Sequence, residues 1–141
     1  MRGEEETMRK SSPTKGKRTK RKRPKLPPIS EEMKQFSAML RQELITWPNI
    51  TSRPMFGFLG FYRRAKIFAA LPVTRGSKTP NSLMFKIKAM PPNLLRRAVK
   101  EPRIDAEDKL PGGQWYSFEL NSEEDLRAAL WWLNQAYERA K

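Results

Sequence analysis

Apolar residues along the chain recur first at helical spacing, then at strand spacing, and at helical spacing again toward the end. After Pro27-Pro28, the residues Met33, Phe36, Leu40, Leu44 and Trp47 fall three or four apart, Ser30 is placed to cap, and Glu31 and Glu32 occupy the first turn. That pattern predicts an amphipathic helix over 31–46, ended by Pro48 because the residue before a proline is steered away from helical angles. Two apolar runs then flank the polar break Arg63-Arg64-Ala65-Lys66 and predict a hairpin with strands over 55–62 and 66–71. The first strand is apolar at both alternating sets of positions, Phe56, Phe58 and Tyr62 on one and Leu59 and Phe61 on the other. Either a layer covers each face or a partner does.

Over 83–89, Leu83, Phe85, Ile87 and Ala89 alternate with Met84, Lys86 and Lys88, the pattern of a half-buried strand with a basic outer face. Met90-Pro91-Pro92 breaks it and opens a short helix through Leu94, Leu95, Ala98 and Val99. A polar, acidic connector over 104–109 leads to the turn signal Pro111-Gly112-Gly113. Over 115–120, Tyr116, Phe118 and Leu120 share one strand face and Trp115, Ser117 and Glu119 the other. Asn121 or Ser122 then caps a last helix with the stripe Leu126, Ala129, Leu130, Leu133, Ala136, Tyr137 and Ala140, Trp132 lying at its margin. Trp131 points away from the stripe and, if exposed, is a contact anchor. The predicted fold class is α+β, an antiparallel sheet of about four to five strands backed by N- and C-terminal helices.

Charge divides the chain in two. Of the net +14, residues 1–28 carry +8, from eleven Lys/Arg against three Glu, with four prolines and almost no large apolar side chain. Such a segment cannot bury enough surface to offset the entropy of ordering, so 1–28 is expected to be a disordered basic tail ahead of a folded domain over 29–141. In the tail, Lys15, Lys17, Arg18, Lys20, Arg21, Lys22, Arg23 and Lys25 form a comb of point charges suited to phosphates and without a sequence code.

The chain contains neither cysteine nor histidine, which removes thiolate chemistry, zinc knuckles and most neutral-pH general bases. No Gly-rich phosphate loop or nucleophile elbow is present, and Ser12 with Lys15 matches S-x-x-K spacing only inside the tail. Asp105, Glu107 and Asp108 read as a solvated acidic turn rather than a calcium loop. No catalytic residue, metal site or cofactor is therefore expected, and the chain is read as a non-enzyme. No apolar run approaches the roughly 18 residues of a membrane helix, so a soluble protein of the cytoplasm is expected, nucleoid-associated or, in a nucleated cell, nuclear.

What remains is a basic constellation on the folded domain. Arg53, Arg63, Arg64, Lys66, Arg75 and Lys78 fall at strand ends and turns, while Lys86 and Lys88 share an exposed strand face. Arg63, Arg64, Lys86 and Lys88 are the expected phosphate contacts of a nucleic acid, DNA or RNA, with nearby Phe and Tyr rings available for stacking. The alternative is a protein-interaction adaptor or homodimer that uses the apolar sheet, with Phe58 and Trp131 as partner contacts.

Some of these residues also carry a family resemblance. Arg53, Met55-Phe56-Gly57, Phe61-Tyr62, Lys66, Phe68-Ala69 and Leu83-Met84-Phe85-Lys86, with Trp115, Tyr116, Glu119, Asp125, Leu126, Trp132, Ala136 and Ala140, resemble the N-terminal domain of the TfoX competence regulators over roughly residues 31–140. The resemblance implies a fold like the MmcQ/YjbR group, similar to type III secretion chaperones, and a regulatory or nucleic-acid-binding role. The chain departs from that pattern at Phe58, in place of a second glycine, and at Arg64-Ala65, in place of an Asp-Gly turn.

Overall fold

The computed structural model describes residues 28–105 and 114–141. Residues 1–27 of the expected tail, with the eight basic residues named in it, and the turn at Pro111-Gly112-Gly113 lie outside the described residues, while Pro28 is described and bridges Arg75. The elements run α1 (Glu31–Leu44), β1 (Ile50–Met55), β2 (Phe58–Arg63), β3 (Lys66–Pro72), β4 (Ser82–Lys86), α2 (Pro92–Val99), β5 (Trp115–Glu119) and α3 (Glu123–Glu138). The strands form one five-stranded antiparallel sheet in the order β1-β2-β3-β4-β5, so the predicted α+β class holds.

Local chemistry sets most boundaries as expected. Ser30 caps α1, its Oγ accepting from the Met33 N–H at 3.0 Å and donating to Asn81 Oδ1 at 2.6 Å. At α3, Ser122 holds the cap position but makes no side-chain cap bond; the Asp125 carboxylate accepts from the Asn121 N–H at 2.7 Å instead. Asp125 also accepts from Arg103 Nη1 at 2.9 Å, and Arg103 grips Glu101 through Nε and Nη2 at 2.7 and 2.9 Å. Burial opposes the charge on Asp125, yet the bonds from Asn121, Arg103 and Ser122 prevail and hold its carboxyl below the usual carboxylate range. This network fastens the segment after α2 to the start of α3.

The N-terminal hairpin differs from expectation. The stretch read as one two-sided strand over 55–62 contains a turn, because Phe56 and Gly57 both have positive φ, at 49° and 89°. Positive φ at both central residues is the signature of a type I′ hairpin turn, which pairs Met55 with Phe58 and makes a strand of 50–55. Gly57 is required there on two counts: its φ is left-handed, and a Cβ would lie 2.9 Å from Arg75 Cγ. Its carbonyl accepts from the N–H groups of Val73 and Thr74 at 2.9 and 3.0 Å, which folds the segment after β3 back over the turn.

Register then separates the two sheet faces. Pairing of Phe61 with Ala69, Ala69 with Phe85, and Phe85 with Tyr116 places these residues on one face, where they join Met33, Phe36 and Leu40 of α1 and Ala129, Trp132 and Leu133 of α3 in a single core. Phe61, Phe68, Phe85 and Phe118 are fully buried there, each burial contributing about 1.5–3 kcal/mol. Trp132, expected at the margin of the α3 stripe, is buried and stacks on Phe85 at 5.6 Å, whereas Leu130 of the expected stripe is only half-buried. A register shift between Phe61 and Tyr62 leaves Phe68 unpaired in the ladder and lets both Phe68 and Ala69 enter the core.

The opposite face carries Arg53, Phe58, Gly60, Tyr62, Ala70, Met84, Lys86, Trp115 and Ser117, none of them in the core cluster with α1 and α3. One end of this face is covered by the segment between β3 and β4. Ser77 and Ser117 hydroxyls meet at 2.6 Å, and Phe58, Ala70, Ser82 and Ser117 are all buried. At the other end Tyr62, Ile67, Lys86 and Trp115 remain half-buried.

Candidate nucleic-acid interface

At the uncovered end of the sheet lies a cleft of about 350 Å³. Strand alternation brings Tyr62, Ile67 and Lys86 to it from the sheet, Lys66 enters from the start of β3 and Lys88 from just beyond β4, and the C-cap of α3 contributes Arg139. Four cations thus converge on one cleft whose lining contains no Asp or Glu. No salt bridge joins any of the four to a carboxylate side chain among the described residues; Lys66 Nζ donates to the Lys141 carbonyl at 2.6 Å and Arg139 Nη1 to Gln135 Oε1 at 2.8 Å. The carbonyl end of α3 is the negative pole of the helix, and Arg139 at its C-cap offsets it. The cleft therefore favours an anion.

The four basic residues expected on the domain part company here. Lys86 and Lys88 line the cleft, and Arg64 is exposed at the β2–β3 turn with φ 58°. Arg63 turns inward: its Nη1 donates to the Tyr137 carbonyl at 2.9 Å and its guanidinium lies 4.3 Å from the Tyr137 ring centroid. The alternation along β2 that puts Tyr62 on the open face puts Arg63 on the core face, so its charge ties β2 to the end of α3. Sequence reasoning omitted Lys66 and Arg139 from the expected contacts, since only the tertiary approach of α3 to the turn joins them to Lys86 and Lys88.

The expected aromatic contacts also move. Phe58, expected on a partner surface, is only 4% exposed, because the type I′ turn sets it under the segment after β3. The exposed ring is its neighbour Phe56, 96% accessible at the hairpin tip. Trp131 is half-buried, with Arg97 of α2 3.9 Å from its ring and Trp132 edge-on at 4.9 Å, so its contacts lie within the domain. Two rings on the helix-free face flank the cleft instead. Arg53 lies 5.4 Å from the Tyr62 centroid and Lys86 Nζ 5.9 Å from the Trp115 centroid. The alternation of Trp115, Ser117 and Glu119 against Tyr116, Phe118 and Leu120 is the signal that sets Trp115 on the face away from the core.

Among the described residues, no group of three or more acidic side chains is arranged to hold a metal ion, and no helix is long and apolar enough to cross a membrane. The class defined by these observations is an α+β domain with a five-stranded antiparallel sheet, helices on one face and a basic cleft at the end of the sheet, where the C-terminal end of α3 meets the ends of β2, β3 and β4. The chain matches no protein-family model, no curated protein and no solved structure.

Proposed function

We propose that this chain is a small, non-catalytic nucleic-acid-binding module of the cell interior, regulatory in role and akin to the TfoX N-terminal domains, that holds phosphates in the cleft of Lys66, Lys86, Lys88 and Arg139. The observation that carries the reading is the convergence of those four cations, without an acidic side chain among the cleft's lining residues, beside the half-buried rings of Tyr62 and Trp115. Three separate chain segments supply the charges, the start of β3, the end of β4 and the C-cap of α3, which a merely solubilising distribution would have no reason to bring together. The basic residues of 1–28 add sequence-independent attraction to the same polyanion.

The tail alone would give salt-dependent binding, so the test lies in the difference the cleft makes. Neutralising Lys66, Lys86 and Lys88 together to Gln should flatten the slope of log K against log salt by roughly 2–3 on DNA, at about 0.7–0.9 for each phosphate no longer neutralised. An unchanged slope and affinity in the triple variant would contradict the assignment.

A second reading, a protein partner or a second copy of the chain docking at the β1–β2 tip, is favoured by Phe56. A phenyl ring 96% exposed on a left-handed residue is costly twice over, in strain and in apolar surface left in water.

A further inference from the structure

We infer that the strand held by the cleft is unpaired, with its bases lying on Tyr62 and Trp115 while Lys66, Lys86 and Lys88 hold the phosphates beside them. The inference rests on the nucleic-acid reading above and specifies the form of the ligand. Tyr62 and Trp115 belong to the same sheet face, linked through the pairings of Gly60 with Ala70, Ala70 with Met84 and Met84 with Ser117, each ring being one alternation further toward the same end. β2 and β5 are three strand spacings apart, so the rings are separated by roughly 14 Å across the sheet. Each ring can receive one base, with the half-buried Ile67 offering apolar floor between them.

Charge and shape agree with this division. Lys86 lines the cleft with its Nζ over the Trp115 ring, and the Arg53 guanidinium lies over the Tyr62 ring, so a base stacks on either ring by displacing the cation toward the backbone phosphate. A base laid on either ring would therefore have a cation next to its own phosphate. The faces of bases in a duplex are hidden by their neighbours, so a duplex could offer this surface only phosphates and would leave both rings unused. Single strands present their π-faces, and stacking on an aromatic side chain is largely indifferent to sequence. The shared chemistry is that of unpaired bases on a phosphodiester backbone, whichever sugar carries them.

The experiment uses the full chain and five fluorescent 20-mers of equal length: single-stranded DNA, single-stranded RNA, duplex DNA, duplex RNA, and a single-stranded DNA with abasic sites in place of bases. The abasic strand keeps every phosphate and removes the stacking. Either single strand should bind at least about 30-fold more tightly than the abasic strand, as two stacked bases imply. The double variant Tyr62→Ala, Trp115→Ala should lose that advantage and bind the abasic strand like the wild type. Equal wild-type affinity for normal and abasic strands would overturn the inference whatever the variant's fold, and so would tighter binding of both duplexes. Loss of the nucleic-acid reading itself looks different: binding of every probe would then be unchanged when the three cleft lysines are neutralised.

Discussion

Phe56 is the residue at which local preference and structure disagree most sharply. Its position in a type I′ turn asks for Asn, Asp or Gly, which tolerate a left-handed backbone, and a Phe there gains no burial in return. Phe56→Asn should accordingly raise stability by roughly 1 kcal/mol, read as a higher urea midpoint with an unchanged slope. A lower midpoint would mean that the ring makes a stabilising contact within the fold. The same residue explains why the hairpin tip was hard to read: Met55-Phe56-Gly57-Phe58 continues an apolar run, and nothing in it resembles an Asn-Gly turn. Arg63 shows the reverse situation. It looked like a surface charge beside Arg64, and only the alternation of β2 above α3 turned it into a structural cation.

Most elements were legible because the apolar residues of each fall on one side. Strands β4 and β5 and helices α1 and α3 announce themselves by clean period-two or helical patterns, and each buries the side that pattern indicates. β1 was not legible, since Ile-Thr-Ser-Arg-Pro-Met is an edge strand with exposed residues on both faces and a proline that only an edge tolerates. The β2–β3 hairpin joins the two kinds of element, and its two arginines separate a structural cation from a solvated one. Arg63→Gln should cost about 1.5–3 kcal/mol, by losing a charged hydrogen bond that ties β2 to α3. Arg64→Gln, exposed at the turn, should stay within about 0.5 kcal/mol of the wild type. Thermal melts of the two variants check this, and equal losses would contradict the assignment of Arg63 to the fold.

At the scale of the whole molecule, the fold uses its two sheet faces for different purposes. One face carries α1 and α3 and the aromatic core; the other is sealed at the Ser77–Ser117 end and left to Tyr62, Lys86 and Trp115 at the end where Lys66, Lys88 and Arg139 gather. Candidate phosphate contacts were partly legible as single residues, Lys86 and Lys88 above all, because strand alternation shows them. Their assembly with Arg139 was not, because it depends on where the last turn of α3 comes to rest, some fifty residues further along the chain. The central claim is that the folded domain, and not the basic segment alone, engages nucleic acid. An NMR titration of the full chain with a short single-stranded oligonucleotide tests it most directly. Amide and indole shifts concentrated at Tyr62, Lys66, Lys86, Lys88 and Trp115 are expected, and shifts confined to residues 1–28 would contradict engagement by the folded domain.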